Sequence, residues 1–145
     1  MRIFLAAAVA VLYAQIAPAQ ADTVGAVIES FGLVGTWSND CHRNLAKVPG
    51  YRMIFAVPPQ GAPTRTTISS DGAAKTTVHT GIMAAERLSA TTLKLTVKTT
   101  GGDRNGGPLA TVTANTFDEV IDKPAPEILS VRGRDPLHLV RCPGE

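Results

Sequence analysis

Most features that would mark a catalyst, a metal carrier or a nucleic-acid binder are missing from this chain. It has only three histidines, His42, His79 and His138, and none lies at the i, i+4 or Cys-x-x-Cys spacings that bring zinc ligands together. No Gly-x-Ser-x-Gly elbow is present, so a serine nucleophile has no motif to sit on. Aromatic residues make up 5% of the chain and the formal net charge is +2, which supplies neither a base-stacking platform nor a basic patch for nucleic acid. The longest apolar run, Ile3 to Ile16, falls short of the ~20 residues a membrane span needs.

What is present begins with that run. Met1 and Arg2 precede it, and Ala19-Gln20-Ala21 follows Pro18 as a small-x-small cleavage site, the layout of a secretory signal peptide over residues 1–21. No cysteine sits at the cut to take a lipid. The mature chain is therefore expected to start at Asp22, to form one domain over residues 22–145, and to work in the periplasm or outside the cell. Without Arg2 its basic and acidic residues differ by one. In an oxidising compartment the two cysteines, Cys41 and Cys142, are expected to form a disulfide, because no metal pattern competes for them. Closing a loop of about 100 residues stabilises a fold by up to ~4.7 kcal/mol in the chain-entropy model.

The body of the chain reads as all-β. Short apolar or alternating runs recur between Gly, Pro, Asn and Asp clusters, and threonine is heavily used, as in Thr64-Arg65-Thr66-Thr67, which suits the wet face of a strand. Strands are predicted at Thr36–Asp40, Tyr51–Val57, Thr64–Ser69, Ala74–Thr80, Ile82–Leu88, Thr91–Thr99, Leu109–Thr116, Glu127–Arg132 and Leu137–Cys142. Leu93, Leu95 and Val97 alternate with Lys94, Thr96 and Lys98 in the clearest of them, whose expected partner is Leu109–Thr116. The predicted architecture is a single antiparallel up-and-down barrel, or a strongly curled meander, of eight or nine strands. Nine would bring the ends carrying the two cysteines side by side and eight would not. Val24, Val27, Ile28, Phe31 and Val34 recur at helical spacing, so a short helix is expected within Asp22–Leu33, ended by Gly32 and Gly35. Gly101 to Gly107, with four glycines, is read as a hairpin loop, Asp118, Glu119 and Asp122 as a solvated turn, and Lys123-Pro124-Ala125-Pro126 as a strand stop, because proline lacks the ladder donor.

Gly35-Thr36-Trp37, entered through a helical turn, resembles the opening of lipocalins and related calycin barrels. That resemblance implies that Gly35 lets the chain enter tightly, that Trp37 plugs one barrel end, and that an arginine of the last strand, Arg132, Arg134 or Arg141, lies across the indole. The layout of Gly-x-Trp followed by Cys41 also looks like that of bacterial periplasmic metalloprotease inhibitors. Trp37-Ser38-Asn39-Asp40-Cys41 with a terminal Arg141-Cys142 is similar to small exported bacterial proteins of no known function.

Two functions follow as expectations, neither of them catalytic and neither needing a cofactor. The first is binding of a small apolar ligand inside the barrel, where Ala84, Ala85 and Ala110 are the residues that leave space. The second is a protein–protein module, such as a protease inhibitor or accessory subunit, using the N-terminal segment or the loop Gly101–Gly107. It predicts an exposed apolar patch around Val27, Ile28 and Phe31. Asp40 and His42 beside Cys41 read as a polar turn rather than a metal site.

Overall fold

The computed structural model describes residues 23–109 and 114–144. The leader expected over 1–21 lies outside the described residues, as do Ala110 and the middle of the strand expected over Leu109–Thr116. The expected helix forms as α1, Val24–Ser30. Thr23 caps it by accepting a hydrogen bond from the Ala26 amide at 3.2 Å, which satisfies one of the amides that no helical carbonyl reaches. At the other end Gly32 has φ +71°, and the amides of Gly32 and Leu33 return to the carbonyls of Glu29 and Ile28. This double closure needs a left-handed residue, which is glycine's role here.

Nine strands follow among the described residues: β1 Gly35–Ser38, β2 Pro49–Ala56, β3 Thr64–Asp71, β4 Lys75–Arg87, β5 Thr92–Arg104, β6 Gly107–Pro108, β7 Thr116–Ala125, β8 Ile128–Val131 and β9 Leu137–Arg141. All pairings are antiparallel. The order β4-β3-β2-β1-β9-β8-β7-β5, with β4 also paired to β5, closes eight strands into a barrel, and β6 is a two-residue spur on β5.

The eight strands differ from the expected set in three places. The two strands read on either side of Gly81 are one strand, β4, with register shifts at His79/Thr80 and Ile82/Ala84. Bulges bend a strand at such a glycine without ending it. The partner of Leu93–Lys98 is β7, pairing Lys98 with Thr116 and Thr92 with Asp122, and not Leu109–Thr116. The acidic cluster is thus strand and not a turn. Gly101–Arg104 continue the β5 ladder, and Asn105-Gly106, with φ of +52° and +82°, make the tight turn into β6, as two-residue hairpins require. The expected hairpin loop therefore shrinks to two residues.

The core lies inside the barrel and against α1. Leu93, Leu95 and Val97 of β5 face inward with Phe55, Ile82, Ile121, Leu129 and Leu139, all buried. The alternation read in β5 sets this, because successive side chains point to opposite faces.

Candidate functional site

Four features could carry function, and the closed end of the barrel organises them. Trp37 is fully buried and its indole Nε1 donates to the Leu33 carbonyl at 2.8 Å. Register places Arg141 of β9 opposite Trp37, and its guanidinium lies over the ring, 4.4 Å from the centroid. A cation held on an aromatic face is attracted by the ring quadrupole. Arg141 also donates to the carbonyls of Val34, at 2.9 Å, and Gly32. It thereby ties the α1–β1 turn to the last strand. Arg132 instead pairs with Asp122 on the outer face.

α1 completes the plug. Ile28 and Phe31 are buried and Val27 packs against the core, while Arg87 stacks on Phe31 at 5.5 Å and reaches Ser30 Oγ. The exposed patch expected at Val27, Ile28 and Phe31 is therefore not formed. The same helical spacing that suggested a sticky face seals the barrel instead.

The disulfide Cys41–Cys142 is present, with its Cα atoms 5.4 Å apart, but the strand-parity reason given for it fails. β1 and β9 run antiparallel in an eight-strand barrel. Cys41 lies beyond the end of β1, in the connection to β2, and Cys142 just past β9, its amide bonded to the Thr36 carbonyl. That connection folds back over the outer face: Leu45 is buried and lies over Gly50, and Thr36 and Ser38 are buried although both point away from the interior. A side chain at Gly50 would collide with Leu45, with a Cβ-to-carbon approach of 2.5 Å. Within the connection, Asp40 Oδ1 accepts from the His42 amide at 3.0 Å, the polar turn expected. Among the described residues no group of three or more His, Cys, Asp or Glu could hold a metal.

The interior changes character along the barrel axis. Near the closed end it is apolar. Above that, Arg65 of β3 and Glu119 of β7, both almost completely buried, form an ion pair between two strands that are not neighbours, so it spans the interior. Arg65 Nε and Thr67 Oγ1 are buried without hydrogen-bond partners. Burial raises the Tyr51 pKa above its ordinary 10.0, and the Arg65 charge partly offsets this. The Thr67 hydroxyl faces the phenol closely enough to lower that pKa slightly, yet outside good hydrogen-bond geometry. Towards the open end the inward positions, fixed by register, are Ser69, Thr76, Val78, Thr99, Val131 and Leu137, all half-buried, and Phe117, 42% exposed.

The fourth feature is a pocket of about 430 Å³ at the closed end, between the start of α1, the β2–β3 connection and β4. Val24, Val57, Pro58, Pro63, Ile82 and Met83 give it apolar walls. Gly25 sits at its edge, where an added Cβ would come within 3.0 Å of Val57 Cγ1. Neither this pocket nor the buried pair is legible in the sequence. The Pro58–Pro63 cluster marks a turn without showing what it covers, and Arg65 is hidden in a threonine run that reads as surface. Of the alanines expected to leave lumen space, Ala85 packs against the core and Ala84 is exposed.

Compared with protein-family models, with curated proteins and with solved structures, the chain matches none.

Proposed function

We propose that this chain is an exported, non-catalytic binding protein of lipocalin-like type that takes up a small apolar ligand at the closed end of its barrel. The observation that carries this reading is the pocket of about 430 Å³ with apolar walls, within the ~300–1,000 Å³ range of small-molecule sites. Export rests on the leader pattern of residues 1–21, and the Cys41–Cys142 bridge fits an oxidising periplasmic or extracellular setting. Packing of the lower interior by Trp37, Phe55 and Leu95 moves the expected ligand from the deep lumen to this pocket.

The alternative, an inhibitor or accessory subunit acting through the N-terminal segment or the loop Gly101–Gly107, has less surface to act through than expected. Ile28 and Phe31 close the barrel and Gly101–Arg104 are paired in the sheet.

Titration of the mature protein with N-phenylnaphthylamine, a neutral apolar fluorophore, tests the proposal. Fluorescence should rise on binding, and Met83→Asp, at a position 55% exposed, should weaken it by at least about tenfold. No enhancement, or binding indifferent to Met83→Asp and to pocket-filling Gly25→Val, refutes the site.

A further inference from the structure

Two-electron oxidants find few targets in this protein. Apart from Met1, the chain has two methionines, Met53 and Met83, one tryptophan and two cysteines. Both cysteines are held in the Cys41–Cys142 bridge, Trp37 is fully buried, and Met53 is 2% exposed within the core. Met83 is the opposite case, with 55% of its surface exposed. It is the residue that the register shift between Ile82 and Ala84 leaves without a partner position on β5, and a bulge of this kind re-aims a side chain. Its thioether lies beside Gly81, where an added Cβ would stand 4.0 Å from Sδ. The same side chain walls the closed-end pocket together with Val24, Val57 and Pro63. The one readily oxidised side chain with wide exposure therefore belongs to the pocket.

We infer that Met83 is an oxidation site through which hydrogen peroxide shuts the closed-end pocket to its apolar ligand, an inference that rests on the ligand reading above. The sulfur lone pair attacks one peroxide oxygen. An S–O bond forms as the O–O bond breaks, sulfur loses two electrons, and the proton on the transferred oxygen passes to the departing hydroxide, which leaves as water. The sulfoxide turns a flexible apolar side chain into a polar one. An apolar ligand then either strips water from the new oxygen without returning a hydrogen bond or leaves that wall uncovered, and both lower affinity. Exposure is what makes this a switch of binding and not of folding, because the sulfur is reached without unfolding and its oxide is solvated when the pocket holds no ligand.

The test treats the mature protein with hydrogen peroxide, removes the oxidant, and reads mass and N-phenylnaphthylamine binding together. Native protein should gain one oxygen, mapped to Met83 by peptide mass spectrometry, with Met53 modified only after unfolding in urea and Trp37 emission unmoved. The oxidised protein should bind the fluorophore at least about fivefold more weakly. In Met83→Leu, whatever its own starting affinity, peroxide should change nothing. Met53 oxidised as fast as Met83 in native protein overturns the assignment of the site. Untreated protein that binds, followed by oxidised protein that binds as tightly, overturns the switch and leaves the ligand reading standing, and so does a loss of binding that persists in Met83→Leu. Untreated protein that takes up no fluorophore refutes the ligand reading and the switch with it.

Discussion

The two ends of this barrel are built from the same strands and differ in what those strands point inward. On β2 the inner face passes from Tyr51 to Met53 to Phe55, on β4 from Thr76 and Val78 to Ile82, and on β5 from Thr99 to Val97, Leu95 and Leu93. The apolar end receives α1, Trp37 and the Arg141 clamp, whereas Ser69, Thr76 and Thr99 at the polar end stay half-buried. The tightly packed core is therefore concentrated at the end that α1 closes. The Arg65–Glu119 pair marks the boundary.

Trp37→Ala attacks the closed end most directly. It removes a fully buried indole and the surface on which Arg141 stacks, and should cost ~3–5 kcal/mol in urea unfolding. At the boundary, Arg65→Met strands a buried carboxylate and should cost ~3–5 kcal/mol, whereas the double variant Arg65→Met with Glu119→Leu should lose far less or gain stability. Equal losses in single and double variants would show that the pair does not set the cost. Reduction, or Cys41→Ser, releases a link spanning 101 residues and should lower stability by ~2–4 kcal/mol; an unchanged denaturation midpoint would refute a structural role for the bridge.

The smallest effect expected is on the acid limb of the stability profile. Asp71 is held below the usual 3.8 by the amides of Ala74 and Ala73, Asp118 by Thr96 and Lys94, and Asp122 by Arg132, with a smaller contribution from Thr92. On acidification the unfolded chain takes up these protons first. Their contribution is thus complete above about pH 3.8 and is lost as pH falls through the lowered native values. Asp118→Asn should flatten this acid limb slightly and leave stability at neutral pH almost unchanged.

Much of the closed end was legible in the sequence. Gly35-x-Trp37, the helical spacing of Ile28 and Phe31, and the alternation of Leu93, Leu95 and Val97 each have a period or a glycine that sterics can read. Register then selects Arg141 among three arginines, a choice no local pattern contains. β7 was missed because Phe117-Asp118-Glu119-Val120-Ile121-Asp122 inverts the usual signal: Glu119 faces inward to meet Arg65, and the acids on the outer face are paired with Lys94 and Arg132. A charge buried by a distant partner looks identical, in one dimension, to a charge in water. The strand count of the cysteine argument failed for a related reason, since a glycine that bends β4 at bulges reads as a break.

Acrylamide quenching of Trp37 in the native mature protein tests the sealed closed end most directly, because the chain's one tryptophan is the only reporter. The account predicts a blue-shifted emission and almost no quenching until the protein unfolds. Emission at the wavelength of a solvated indole, with quenching as strong in native as in denatured protein, would contradict it.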